Sequence, residues 1–479
     1  MSTYEAIIGL EIHAQLLTQS KAFCADSTAF GDEPNTNVSA ISLGHPGTLP
    51  KLNKKAVELA IKMGLATHSK IDKHCYFARK NYFYPDLPKG YQTTQDKTPI
   101  CTDGYIDLKI NQQTKRIGIQ RIHLEEDAGK SIHDQDPFDT LIDLNRAGVP
   151  LIEIVSKPDL RSAQEAAAYI AEIRKMVRYL DICDGNMEEG SLRCDVNVSV
   201  RLKGENTFRT RCEIKNLNSI RNVERAIEYE IERQTQIYEA GGTIEQETRN
   251  FDPVSGTTSS MRTKETAHDY RYFPEPDLLP LYLQDSYIEQ IAASLPALPA
   301  QRYEKYIHQF KLSDFEATTI IEQKEISDYF EALVKVCNHP KQAANWIMGP
   351  IKTYLNDTAT HIKQFPLTPH HISQIIDLIL QDKISATAAK EVVFRQMIKQ
   401  PHLTAFEIAT QQGVLQESDA ATIKPLIDEI IQKFPNQVQE YKKGKTGVLG
   451  FLVGQVMKAS GGKANPKLVN QMMQEALHN

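Results

Sequence analysis

Apolar and polar residues alternate along residues 8–16, with Ile8, Leu10, Ile12, Ala14 and Leu16 on one side and Glu11, His13 and Gln15 on the other. A period of two is the signature of a half-buried strand. Residues 117–126 repeat it, setting Arg121, His123 and Glu125 opposite Ile122 and Leu124. In residues 192–202, Arg193, Asp195, Asn197, Ser199 and Arg201 face away from Leu192, Cys194, Val196, Val198 and Val200. The next candidate strand carries Arg211, Glu213 and Lys215, and the mainly apolar run 151–155 carries Glu153. Two stretches switch to helical spacing. In residues 161–180, Ser162 and Glu165 have capping-box spacing, followed by Ala166, Ile170, Ile173, Val177 and Leu180 on one stripe. Ser219 is placed to cap a second helix with Ile220, Val223, Ile227 and Ile231 on its apolar stripe and Gly241-Gly242 as its stop.

Strand and helix patterns mix up to about residue 280, which predicts an α+β domain built on antiparallel strands. The run S-L-P-A-L-P-A at 294–300 disfavours both helix and central strand and marks a boundary. Residues 313–400 then read as short helices separated by breakers such as Gly349-Pro350, with Thr368-Pro369 as a helix start, and a further helical segment follows Pro401. The expected organisation is therefore 1–293, 301–400 and 401–479.

A length of 479 residues agrees with about two to four domains. With 41% hydrophobic and 24% charged residues the composition is that of a soluble globular protein, and no apolar run approaches the roughly 20 residues that cross a bilayer. A strand beginning by about Tyr4 leaves no room for a targeting segment, so the expected location is the bacterial cytoplasm. The seven cysteines (24, 75, 101, 183, 194, 212 and 337) form no C-x-x-C pair, and their odd number argues against a disulfide framework. A net charge of −6 does not suggest a nucleic-acid binder, yet residues 441–479 hold six lysines against one glutamate.

Any one polar strand face reads as a half-buried sheet showing its wet side. Together these faces combine Asp and Glu with Arg, Lys and His. That lining suits Mg²⁺ and phosphate, because hard cations take oxygen ligands and phosphoryl transfer needs basic groups against the developing charge. Other motifs fall away. Gly444-Lys445-Thr446 resembles the end of a phosphate-binding loop, but Gln439 stands where its first glycine belongs. The run G-N-M-E-E-G at 185–190 has the wrong spacing for a dinucleotide fingerprint and reads as a turn. G-T-T-S-S at 256–260 has no Ser/Lys constellation around it, and no cysteine stands in a glutaminase-like context. The aromatic clusters at 81–86 and 269–274 read as packed loops, with base stacking as the alternative.

Taken in order, I-G-L-E-I-H (8–13), R-K-N-Y-F-Y-P-D (79–86), L-E-E-D-A-G-K (124–130), P-L-I-E (150–153), E-G-S-L-R-C-D (189–195), E-I-K-N-L-N (213–218), D-Y-R-Y-F-P-E-P (269–276) and the tail at 441–465 resemble the B-subunit family of the aspartyl/glutamyl-tRNA amidotransferases. The resemblance implies a cradle domain related to the glutamine-synthetase catalytic sheet, an all-helical domain and a small helical tail. It also implies a site dependent on ATP and Mg²⁺, ammonia supplied by an amidase (A) subunit, and a small C subunit. The absence of a glutaminase motif is thereby explained. On this basis Glu11, His13, Glu125 and Glu153 are expected to hold metal, with Glu153 also serving, beside Asp195 and Glu213, to place a second ion or the nucleotide's metal. Arg193 and Lys215 are expected to stabilise the transferring phosphoryl group, completing a catalytic set of Arg193, Asp195, Glu213 and Lys215. Lys442, Lys443, Lys445, Lys458, Lys463 and Lys467 would hold tRNA phosphates. The substrate is Glu-tRNA(Gln), Asp-tRNA(Asn) or both. Many members carry structural zinc on a C-x-C and C-x-x-C pair; here Cys24 is joined by Asp26, Ser39 and Ser42, and no zinc is expected. The rival readings are a non-catalytic tRNA-binding scaffold and a free-standing amide ligase.

Overall fold

Burying one face of each alternating strand requires a partner layer, and the helical stripes supply it. The computed structural model describes residues 3–110, 113–133, 135–263, 270–417, 419–461 and 463–478. Among them, twelve strands form one sheet: β1 (Tyr4–Gln15), β2 (Lys70–Ile71), β3 (Ala78–Asn81), β4 (Tyr91–Thr94), β5 (Cys101–Ile110), β6 (Gln113–Glu126), β7 (Pro150–Ser156), β8 (Leu192–Leu202), β9 (Cys212–Lys215), β10 (Glu247–Asp252), β11 (Thr257–Thr263) and β12 (Arg271–Pro274). Their spatial order is β11-β10-β9-β8-β1-β7-β6-β4-β3-β12, with β5 also on β6 and β2 on β5.

The antiparallel expectation needs one correction. β9 and β10 pair in parallel, which makes the sheet mixed. The reason is the chain between them: helix α3 (Ile220–Glu239, numbered after α1 and α2 below) carries the crossover that parallel neighbours require.

Helices α1 (Lys54–Ala66), α2 (Ala163–Tyr179) and α3 share one apolar core with the sheet. Ile8, Ile12, Ile122, Ile152 and Val196 meet Ile61, Ile170, Ile173, Val223 and Ile227 there, all fully buried. Ser162 caps α2 by accepting the Glu165 backbone N–H at 3.2 Å. The reciprocal arm is displaced by one residue from the expected box: Glu165 accepts the N–H of Arg161, at 2.6 Å. Ser219 caps α3 through the Asn222 N–H, and Gly241, at φ 79°, ends it in the left-handed conformation that glycine adopts without cost.

The contacts divide the chain into residues 1–299 and 300–479. The second unit is helical and holds two apolar clusters, one around Phe330, Ile347, Ile375 and Val393, the other around Ile427, Leu452, Val456 and Met473. At Gly349 the backbone is non-helical (φ −102°, ψ −106°), so Gly349-Pro350 breaks the helical path between Pro340–Trp346 and Lys352–Thr358, as expected. Pro369 opens the helix Pro369–Leu380, where His371 Nδ1 accepts the Thr368 N–H at 3.2 Å. No described helix is long and apolar enough to cross a membrane.

Candidate functional site

Pairing register decides which polar side chains meet, since partners across a ladder share a face. Glu11 stands opposite Asp195, and His13 opposite both Arg193 and Glu153. Glu153 in turn faces His123, and Asn197 faces Glu213. The polar faces of β9, β8, β1, β7 and β6 thus form one wall. All eight strand residues expected at the site, Glu11, His13, Glu125, Glu153, Arg193, Asp195, Glu213 and Lys215, line a single cavity of about 1210 Å³.

Within it, His13, Glu125 and Glu153 each present one ligand atom, all within 4.8 Å of one another. It is the one such trio among the described residues. His13 Nε2 lies 3.4 Å from Glu153, and His123 Nε2 lies 3.0 Å from Glu125 and 3.5 Å from Glu153. Burial works against ionisation of both carboxyls, but His123 beside them holds Glu125 and Glu153 below the usual range. Two carboxylates and one imidazole fit a divalent cation, with Mg²⁺ using mainly the oxygens.

Glu11 belongs to the neighbouring group. Its carboxylate accepts from Asn197 Nδ2 at 3.0 Å. Burial and then the charges of Glu153, Glu213 and Asp195 push it up, against the pull of Lys215. Lys215 Nζ bridges Asp195 and Glu213, with 2.9 Å to the latter. Although burial opposes it, those two acids hold the ammonium well above the usual lysine range. The site therefore has two carboxylate centres, and in the second a lysine ammonium already supplies cationic charge.

Asp127 was missed by sequence reasoning. Its carboxylate, 5% exposed, accepts from Gln15 and Arg193, each at 2.8 Å, with Arg146 Nε at 3.9 Å. It follows the last residue of β6, where alternation no longer assigns a face; the E-E-D-A-G-K run was its only signal. The aromatic clusters depart in part from expectation. Residues 82–86 do form a loop, but 271–274 form β12, paired with β3, and Tyr82, Tyr270 and Tyr272 all line the cavity, while Asp269 lies outside the described residues.

Cys24, Asp26, Ser39 and Ser42 do meet. Cys24 Sγ is 3.3 Å from Ser42 Oγ, the Ser39 N–H donates to Asp26 at 2.8 Å, and Ser42 Oγ also donates to Asp26. One thiol, pushed up by burial, with one carboxylate and two hydroxyls is not a zinc donor set. Gly444 follows the helix Pro435–Lys442, not a strand. The six tail lysines are all exposed; Lys445 pairs with Glu440 and Lys467 with Asp382, at 3.4 and 2.8 Å.

Comparison with known proteins covers nearly the whole chain. Residues 6–289 match the GatB/GatE catalytic domain, and residues 328–477 match the GatB domain. The B subunit of the aspartyl/glutamyl-tRNA(Asn/Gln) amidotransferase from Thermodesulfovibrio yellowstonii is 51% identical over 98% of both chains. Those of Nitrosococcus oceani and Persephonella marina are 51% and 50% identical over 99% of both chains. With a matching catalytic domain over the whole carboxylate-lined sheet, the chain belongs to the B-subunit family of the tRNA-dependent amidotransferases.

Proposed function

We propose that the cavity phosphorylates the side-chain carboxylate of Glu-tRNA(Gln), Asp-tRNA(Asn) or both with ATP, and then forms the amide. The supporting observation is the trio His13, Glu125 and Glu153 in one cavity with Arg193 and Lys215. A carboxylate oxygen of the aminoacyl group attacks the γ-phosphorus, and the bond to ADP breaks. Ammonia then attacks the acyl carbon, inorganic phosphate leaves, and one proton is lost. Mg²⁺ bound at His13, Glu125 and Glu153, and a second ion at Glu11, Asp195 and Glu213, would neutralise phosphate charge. Arg193, held by Asp127, and Lys215 stabilise charge on the transferring group.

The chain has no glutaminase motif of its own, so glutamine-derived ammonia comes from a partner amidase (A) subunit; with a small C subunit, the three make up a cytoplasmic bacterial enzyme. A sheet with helices on one face and carboxylates on the other supports the glutamine-synthetase-like cradle, 1–293, followed by helical (301–400) and tail (401–479) domains. The acyl phosphate hydrolyses readily, so a closed ammonia path is required.

The test is ATP cleavage and amide formation by the assembled enzyme with charged tRNA and glutamine or ammonia. Chelating divalent cations should abolish both, and Mg²⁺ should restore both; activity that persists without divalent cation refutes the metal assignment. For the tail, alanine at Lys442, Lys443, Lys458 and Lys463 should weaken tRNA binding and flatten its salt dependence by roughly 0.7–0.9 log unit per lost phosphate contact. An unchanged slope in filter binding would remove these lysines from the tRNA interface.

A further inference from the structure

The tyrosines on the β3–β12 ribbon are unused by the chemistry above. Tyr82 and Tyr270 pack edge to face, ring centroids 5.5 Å apart at 72°, and Tyr84 stands 6.1 Å from Tyr82. Tyr270 and Tyr272 are 36% and 42% exposed although both line the cavity. Rings packed to build a core would be covered; these present surface to the cavity.

The ribbon is firmly held. Asn81 Nδ2 donates to the Arg271 carbonyl at 2.8 Å, and Arg79 makes two 2.8 Å hydrogen bonds to Glu275 and one of 2.9 Å to Asp277. Register places Tyr272, Lys80 and Gln92 in one row across β12, β3 and β4. Gln92 Nε2 then donates to Glu125 at 3.0 Å, so the row runs from the rings to the metal-binding trio. Lys80 Nζ lies 4.8 Å from the Tyr270 ring centroid and 5.8 Å from that of Tyr82. Burial disfavours the Lys80 ammonium, but Glu125 keeps it charged.

This row has a flat aromatic end, a cation in the middle and carboxylates suited to metal at the far end. From β6 to β12 it spans three strand spacings, roughly 14 Å. An extended nucleotide, whose base stacks while its anionic end reaches the metal, can bridge such a span.

We propose that Tyr270 and Tyr272, backed by Tyr82 and with Lys80 beside them, form a stacking subsite for an adenine base. This rests on the phosphorylating role assigned to the cavity. Two reactants then carry adenosine: ATP, and the 3′ end of the charged tRNA, whose aminoacyl group must reach the same carboxylates. Stacking serves either, because an aromatic face is matched by any base and costs little to pre-arrange.

The test uses Tyr270→Ala and Tyr272→Ala in the full chain assembled with its partner subunits, with Tyr270→Phe and Tyr272→Phe as ring-retaining controls. KM for ATP, KM for charged tRNA and kcat are measured. Loss of a stacked base raises one KM about tenfold with kcat within about twofold, and phenylalanine restores it. A rise for ATP assigns the subsite to the nucleotide, and a rise for tRNA assigns it to the terminal adenosine. Unchanged KM values in the alanine variants overturn the proposal. So does failure to assemble with the partner chains, with normal KM values in what still assembles, which would make the rings a protein contact. Glu125→Gln in the same assay separates this from the underlying reading. If Glu125→Gln is active, the phosphorylating site itself is wrong; if it is inactive and the tyrosine variants are normal, only the stacking subsite falls.

Discussion

Glu125→Gln should lower the rate of ATP-dependent amide formation on the order of 10³-fold while leaving the chain folded and tRNA binding intact. Glu125 belongs to the trio that can hold a divalent cation, and it is 6% exposed. Glutamine keeps the shape but removes the anionic charge that a hard cation requires. Two donors face the Glu125 carboxylate, Thr94 Oγ1 at 2.6 Å and Gln92 Nε2 at 3.0 Å, and His123 Nε2 lies at 3.0 Å. A glutamine there must turn its NH₂ toward at least one of them, at a cost of about 1–3 kcal/mol. That is a fraction of the roughly 5–15 kcal/mol that holds a domain together, so the variant folds with a lowered melting temperature.

The result separates the competing readings because they place the acids differently in the energetics. On a scaffold, Glu125 would be a structural acid, and neutralising it beside Glu153 would relieve repulsion and leave turnover unchanged. Turnover within about tenfold of wild type would favour that reading. Amide formation on free glutamate or aspartate, without tRNA or partner subunits, would favour a free-standing ligase. Circular dichroism and filter binding with charged tRNA control for folding and substrate capture.

The parity of the site residues was legible in the sequence, and their distances were not. Leu10 and Ile12 are 1% and 0% exposed because one face of β1 must be buried, and that alone turns Glu11 and His13 to the other side. The same argument carries Glu125, Glu153, Arg193, Asp195, Glu213 and Lys215 onto the cavity wall. Which strands become neighbours depends on pairing across more than a hundred residues, as in His13 with Arg193. Alternation therefore could not show that His13, Glu125 and Glu153 meet while Glu11 joins the Lys215 group. Asp127, just past a strand end, and the tyrosines on an edge ribbon lie where the period of two stops giving information. The parallel β9–β10 pair escaped for a related reason: the amphipathic stripe announces α3 but not where the chain returns.

Lys215→Met should lower kcat about 10²- to 10³-fold and, at the same time, reduce the Mg²⁺ concentration needed for half-maximal activity. The two effects have opposite signs because the proposed reaction gives the ammonium two roles. It sits between Asp195 and Glu213, so an incoming cation must share or displace it, and methionine leaves that centre to the metal. In the proposed reaction it would also supply fixed positive charge toward a phosphoryl group in flight, and methionine would supply none. Lys215→Arg keeps the charge but replaces a compact ammonium with a planar fork, and should fall between wild type and methionine in kcat. Titrating Mg²⁺ against turnover for the three proteins reads both quantities. If Lys215→Met raises KM for charged tRNA with kcat unchanged, Lys215 is a substrate-binding residue and the phosphoryl role passes to Arg193. If the Mg²⁺ requirement rises instead of falling, the ammonium supports metal binding, and Asp195 and Glu213 are not a cation site held by their own lysine.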